Sequence, residues 1–552
     1  MSGYTGQRGP NGKLLATGVA ALFLVLIGFF FSHIASERAA EEEFFRVQEA
    51  ALQSGEYAGM SSAVKALGER LEGDDRAPAA LLALDARAEL VFALLFSGST
   101  AQRAQALKLL DRAQQLDPTQ LEVRLTEALA EASIADPERA ITLLEDGSLQ
   151  ARYPLWARLI RAEADLRRGM EPNPDELVAI QPGGLLGVWG LRIAWAQGNA
   201  DLVGSLAARV LADAPGNVFA ETLILLASSR TEDHSGALER LRGLFDSAAA
   251  LPPALGSLVA VDLARLMRKQ GESEAAQLML SDLAAQVPDS DLLQVELART
   301  ERFQSHFGVA FDRADKALRD NPADPRLLTE MSAALFFRDS AEKISSRLRL
   351  VPESQKKSDG VRRASAMMSL LEGNYVDAVE ALSSTRHLGM PGDTELWLAE
   401  ALLGAGRPDE ALIEAKRARE EFVRLEGPRS HPATIAALYE GLALQAQGQS
   451  RSAKKLMEST YVRPYQTPWA AWLYGRYLEE KGKNRAAKDL FLLACHHGQD
   501  FALSCYHLSQ IYQSLRLDEV ERSTQRKACE LYLRNAPQGV HAEQARKTLE
   551  GQ

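Results

Sequence analysis

Cysteine is nearly absent: three stand in 552 residues, at 495, 505 and 529. A disulfide-rich framework is thereby excluded, and the fold must rest on apolar burial, for which 46% hydrophobic content is ample. Positive charge is also in deficit, with 63 Lys and Arg against 74 Asp and Glu and a net charge of -11. No run of basic residues offsets it, so a phosphate backbone would be repelled and nucleic-acid binding is not expected. Catalytic and phosphate-cradling signatures are missing too: no G-x-x-x-x-G-K-[ST], no H-E-x-x-H, no G-x-S-x-G, no C-x-x-C. The glycine-rich stretch QPGGLLGVWG (181–190) follows no strand, and the Ser-x-x-Lys of SAVK (62–65) has no companion motifs. No catalytic residue, cofactor or resident metal is called for, and no enzyme is expected.

What is present begins with an apolar run. Residues 14–34, LLATGVAALFLVLIGFFFSHI, carry no Asp, Glu, Lys or Arg, and as a helix their length matches a bilayer core. Arg8 and Lys13 precede the run, whereas Glu37, Glu41, Glu42 and Glu43 follow it against a single Arg38. The positive-inside rule therefore expects a cytoplasmic tail at 1–13, an uncleaved anchor at 14–34 and export of the remainder.

Beyond about residue 40, Gly and Pro fall between apolar-periodic stretches of helical length, with no alternating β-branched runs. A period of about 34 residues emerges on self-comparison. ELWLAEALLGAGRPDEALIEAKRA (395–418), ALYEGLALQAQGQSRSAKKLMEST (437–460) and AWLYGRYLEEKGKNRAAKDLFLLA (471–494) share one layout. Each has a small residue in a first helix (Ala399, Gly441, Gly475), a glycine turn (Gly406, Gly448, Gly482) and an alanine five residues later (Ala411, Ala453, Ala487). Ala264, Gly271 and Ala276, and then Ala366, Gly373 and Ala378, repeat it, while Pro118, Pro215 and Pro322 close other units.

This pattern resembles the tetratricopeptide repeat (TPR), and the resemblance covers nearly the whole chain after the anchor. It implies an all-α, right-handed TPR-like α-solenoid of antiparallel helix pairs preceded by one transmembrane helix, with about thirteen units. Residues 35–335 form an N-terminal array and 361–552 a C-terminal TPR/Sel-like array. Between them 336–360 loses the small residues and gathers Lys356 and Lys357, as a divergent repeat or hinge would.

The same resemblance implies a concave groove lined by the first helices. In TPR proteins that bind acidic chaperone tails this face bears Lys and Asn; here the corresponding positions hold Trp472 and Arg476, Tyr506 and Gln510, and Leu438 and Leu442. That clamp is absent. Repeat phase assigns Tyr474 and Tyr512 to the interhelix core and turns Trp469, Trp472 and Tyr506 toward the groove. Trp469, Trp472, Arg476, Tyr506 and Gln510 are therefore the candidate partner-contacting residues, rigid aromatics being favoured anchors.

The cysteines stand in CHHGQDFALSCYH (495–507) and KACEL (527–531). Cys495 ends one second helix, Cys505 begins the next first helix, and Cys529 closes its partner, which leaves open a 505–529 bridge, a 495–505 bridge, free thiols or a metal site with His496, His497 and His507. CYHLSQIY followed by KACEL is similar to cysteine-bearing Sel-like repeats, and that resemblance implies a Cys505–Cys529 disulfide, formed outside the reducing cytoplasm. The expected whole is a non-catalytic scaffold in the bacterial inner membrane, its repeats periplasmic, bound to protein partners of an envelope machine. A periplasmic chaperone associated with the export channel is the alternative.

Overall fold

Helix Pro325–Phe337 shows how a unit is set. Pro325 occupies its first turn, and the Asp324 side chain accepts hydrogen bonds from the backbone N–H groups of Arg326 and Leu327, satisfying donors that helix ends leave orphaned. Every one of its residues from Leu327 to Phe337 is buried, and the chain then turns into the shorter helix Ala341–Leu348. Helices that open units begin at Asp291, Pro325, Asp359 and Asp393, a spacing of 34 residues that reproduces the sequence period.

The computed structural model describes residues 40 and 42–550 apart from 73–76, 98, 169, 171, 180–183, 198, 230–233, 247–250, 320, 321, 323, 352, 354, 355, 357, 386–391, 462–466, 499 and 516–518. The tail expected at 1–13 and the anchor expected at 14–34 lie outside the described residues. Among the described residues no helix is long and apolar enough to cross a membrane.

Among the described residues thirteen helix pairs run from Ala79–Phe92 with Thr100–Leu116 to Ala502–Gln513 with Glu519–Asn535, and the short helix Gly147–Arg152 stands outside the pairing. A helix over 42–53 and Tyr57–Leu71 precede them, and Ala542–Glu550 closes the array. The TPR-like packing is visible in Pro468–Glu480 with Asn484–His497. A Cβ on Gly475 would stand 2.7 Å from Phe491, so only glycine admits that ring, and Ala487 is buried beside it. Gly482, at φ 68°, makes the turn between the two helices in the left-handed region that glycine enters without strain.

Two apolar cores form, one drawing on residues from Leu52 to Leu297 and the other on Val295 to Ala545. They meet inside helix Asp291–Phe303, whose Leu293 and Leu297 face the first and Val295 and Ala298 the second. The meeting point is thus not at 336–360. That segment holds the buried Phe336 and Phe337, helix Ala341–Leu348, and an exposed Lys356 paired with Glu353 at 2.5 Å.

Winding of the array closes contacts between distant units. Ser99 pairs with Ser290 in an isolated antiparallel bridge, Arg338 reaches Asp500 at 3.5 Å, and the backbone N–H of Trp469 donates to Ser305 Oγ at 3.0 Å. Asp339, buried and at φ 49°, accepts from the Tyr532 hydroxyl and from the backbone N–H of His541 at 3.2 Å. The C-terminal units consequently wrap around helices Asp291–Phe303 and Pro325–Phe337.

Candidate functional site

That wrapping decides the fate of the expected groove. Trp469 and Trp472, which repeat phase turns outward, are 0% and 2% exposed. The Trp469 ring lies 4.6 Å from Phe337, 5.4 Å from Phe303 and 6.1 Å from Trp397; Trp472 packs on Phe501 at 5.6 Å and His507 at 5.7 Å. Phe303 and Phe337 come from the middle of the chain, so the concave face that the C-terminal first helices present is filled by the chain itself. The assignment of the two tryptophans to a free groove is corrected accordingly: they are core.

The other three candidates are half-buried and each is engaged by another side chain. Arg476 lies over Trp472 at 4.7 Å, and its Nη1 donates to both oxygens of Glu400 at 3.0 and 2.9 Å. Tyr506 stacks on His541 at 4.0 Å and donates its hydroxyl proton to Gln544 at 2.7 Å. Gln510 Oε1 accepts from Gln544 Nε2 at 3.1 Å. Closing helix Ala542–Glu550 thus covers part of Tyr506 and Gln510, which stay half-buried. Of the two aromatics assigned to the core, Tyr512 is buried, whereas Tyr474 is half-buried between Tyr461 and Tyr477.

The disulfide also differs from the expected pairing. Cys495 is bonded to Cys505, with the two Cα atoms 4.8 Å apart, and Cys529 is a free, buried thiol. Cys495 lies in the last turn of Asn484–His497, Cys505 in the first turn of Ala502–Gln513, and the intervening turn through Asp500 sets these ends side by side. Cys529 does not close its helix, which continues to Asn535. It therefore faces a level one turn along from Cys505: Gln525, on the same helix, donates to the Ser509 carbonyl at 3.0 Å, and Ser509 hydrogen-bonds the Cys529 thiol. Burial raises the pKa of that thiol, and the Ser509 contact only partly offsets the rise.

The histidines diverge. His496 and His497 are exposed, while His507 is packed against Trp472 and Phe491, and burial, with Arg476 and His541 adding repulsion, depresses its pKa to about 3. Among the described residues no group of three or more His, Cys, Asp or Glu side chains is placed to hold a metal ion.

Sequence reasoning missed an ionic network at the junction of the two cores. Arg299 donates from Nε to Asp393 at 2.8 Å and from Nη1 to Glu426 at 2.6 Å; Arg302 bonds Glu330 at 2.8 Å and Asp393 at 3.1 Å. Arg268 reaches Glu296 at 2.5 Å and Glu426 at 3.3 Å, and Arg265 shares Glu296 at 3.2 Å. Burial opposes the charge on Glu296, but Arg265, Arg268 and Arg299 outweigh it and hold the carboxyl at about 2. Arg299 and Arg302 hold Asp393 below its ordinary range against the same penalty. The available signal was the density of charge inside LLQVELARTERF (292–303), a first helix where apolar residues alone would serve for packing.

Fold and packing define the class: a TPR-like α-solenoid of helix pairs. No protein-family model matches the chain, and no curated protein does. In structure it is similar to a chain of the APC/C hetero-tetramer Cut9-Hcn1, at 15% identity over 88% of this chain and 98% of that one with a TM-score of 0.41. It is similar also to the yeast Tom70, at 12% identity over 88% and 99% with a TM-score of 0.29. Neither likeness carries a residue-level correspondence or a function.

Proposed function

We propose that this chain is a non-catalytic protein-interaction scaffold of the bacterial inner membrane, anchored through 14–34 with its repeats in the periplasm. It would hold protein partners together in an envelope machine for secretion, pilus assembly, motility or envelope biogenesis. One observation favours this over the chaperone reading: Trp469 and Trp472, two of the three aromatic residues that would receive unfolded clients, are buried, Trp469 against Phe303 and Phe337 of the chain's own middle helices. A braced body with its groove filled presents fixed outer surfaces, which suits defined partners. The Cys495–Cys505 bond supports an oxidising compartment.

The test is copurification of the full chain in detergent together with topology reporters. Stoichiometric recovery of a small set of envelope proteins and a periplasmic reporter signal at residue 300 are expected. A cytoplasmic signal there refutes the localisation, and promiscuous capture of unfolded polypeptides refutes the scaffold in favour of the chaperone.

A further inference from the structure

Among the described residues, three other than glycine hold a positive φ: Ser305 at 68°, Asp339 at 49° and Asp500 at 62°. All three stand where the last units meet the middle of the chain. Ser305 Oγ accepts the backbone N–H of Trp469 at 3.0 Å, and Asp339 accepts from the Tyr532 hydroxyl and the His541 N–H. Asp500 reaches Arg338 at 3.5 Å and lies so close to helix Phe307–Ala317 that a Cβ on Gly308 would stand 2.2 Å from its Oδ2. Left-handed backbone is unfavourable for a residue with a side chain and persists only where surrounding contacts impose it. The closed interface carries a further burden: Trp397 and Trp472, both packed near Phe337, bury indole N–H groups without an acceptor.

Closure against these costs needs a device, and the Cys495–Cys505 bond stands at the right place. Asp500 and Phe501 lie between the two cysteines, and they are the residues of that turn that enter the middle helices. Phe501 is fully buried, its ring 5.0 Å from Phe307, 5.4 Å from Phe337 and 5.6 Å from Trp472. The turn has no slack: a Cβ on Gly498 would meet the Ala494 carbonyl oxygen at 2.6 Å and Phe501 Cβ at 2.8 Å. With its ends joined, the turn has little freedom left to lose on docking; with its ends parted, docking must order a longer free segment.

We propose that the Cys495–Cys505 bond is a redox-sensitive clasp. Oxidised, it holds Asp500 and Phe501 among the middle helices and braces the array; reduced, it lets the units from Pro468 onward part from them. The reaction is thiol–disulfide exchange with a dithiol. One thiolate of the dithiol attacks Sγ of Cys495, which is 7% exposed against 1% for Cys505, and Cys505 leaves as a thiolate. The second thiolate of the dithiol then displaces Cys495. The S–S bond is thereby reduced to two thiols, which take up the two protons the dithiol gave up, and the dithiol is oxidised to its cyclic disulfide. For its purpose the inference rests on the scaffold reading: bracing is gained only in a compartment where disulfides form, so the scaffold closes after export.

The full chain in detergent, oxidised or treated with dithiothreitol, is compared by backbone hydrogen exchange. Complete reduction is verified on denatured samples by maleimide labelling, which should find Cys529 alone before treatment and all three cysteines after it. Reduction is expected to speed exchange about tenfold or more in helix Phe307–Ala317, far from either cysteine in sequence. Ala79–Phe92, and Asp393–Gly404, which Arg299 holds, should keep their protection. Cys495→Ser combined with Cys505→Ser should match the reduced parent and ignore dithiothreitol, Phe501→Ala should expose the same helix with the disulfide intact, and Cys529→Ala should respond as the parent does. Protection of Phe307–Ala317 that survives reduction overturns the inference, as does exchange that rises equally in Ala79–Phe92, the mark of general destabilisation. Phe501→Ala that leaves Phe307–Ala317 protected overturns it too, since the clasped turn would then not be what docks. A cytoplasmic reporter signal at residue 300 would remove the scaffold's compartment alone and leave the redox response of the purified chain standing.

Discussion

At the scale of the residue, Cys505 shows how a partner is chosen by fractions of a helical turn. Phase along the repeats places Cys529 near the end of its helix, and there it would face Cys505; the helix instead runs on to Asn535 and carries Cys529 to the level of Ser509. Cys495, reached across the turn at Asp500, takes the bond. Closing a loop of 10 residues stabilises this end by about 3 kcal/mol in the chain-entropy model. Non-reducing peptide mapping is expected to recover a 495–505 crosslink, and Cys505→Ser to lower stability by about that amount while Cys529→Ala costs roughly 1 kcal/mol. A 505–529 crosslink in oxidised protein would refute the pairing. The three cysteines were legible in the sequence as a cluster, but their connectivity depended on where a helix stops, and nothing in RKACELYLRN marks a stop before Asn535.

At the scale of the element, helix Ala79–Phe92 carries a conflict that the repeat pattern does not explain. Asp85 and Glu89 stand one turn apart on the same face, and each has a buried oxygen without a partner, Oδ1 of Asp85 and Oε2 of Glu89. Burial raises both carboxyls to about 7, Glu89 with added repulsion from Asp85. Folded pKa values above the unfolded ones mean that the two groups burden the fold least below about pH 4, and that stability is lost as pH rises from there through 7. Asp85→Asn and Glu89→Gln are therefore expected to match the parent at pH 4 and to exceed its melting temperature increasingly toward pH 8. Parallel pH profiles for variant and parent would show that the carboxylates ionise freely. What the sequence did reveal at this scale is the helix pair itself. Gly475 beneath Phe491, Gly441 beneath Met457 and the turn glycines are local requirements of backbone approach and positive φ, and local requirements leave local marks.

At the scale of the molecule, the burial of Trp469 could not be read from its own repeat, because Phe303 and Phe337 come from more than a hundred residues upstream. Repeat phase describes neighbours along the array, whereas contacts between turns of the array depend on how much each unit rotates against the next. The ionic network belongs to this scale. Arg299, 2% exposed, ties helix Asp291–Phe303 at once to Asp393 and Glu426, and so joins the middle of the chain to the units that wrap around it. A buried network of this kind adds little over apolar packing while intact, but removing one member strands its partners in a dry environment at a cost of roughly 3–5 kcal/mol. Arg299→Met keeps most of the side-chain volume and removes the charge, leaving Asp393 dependent on Arg302 and Glu426 dependent on Arg268. The parent is expected to unfold in one calorimetric transition that salt barely shifts, since the pairs are shielded from solvent ions. In Arg299→Met the transition should split, the C-terminal units melting first as they lose their hold on the middle helices. One unaltered transition in the variant would mean that aromatic packing around Trp469 alone couples the two halves.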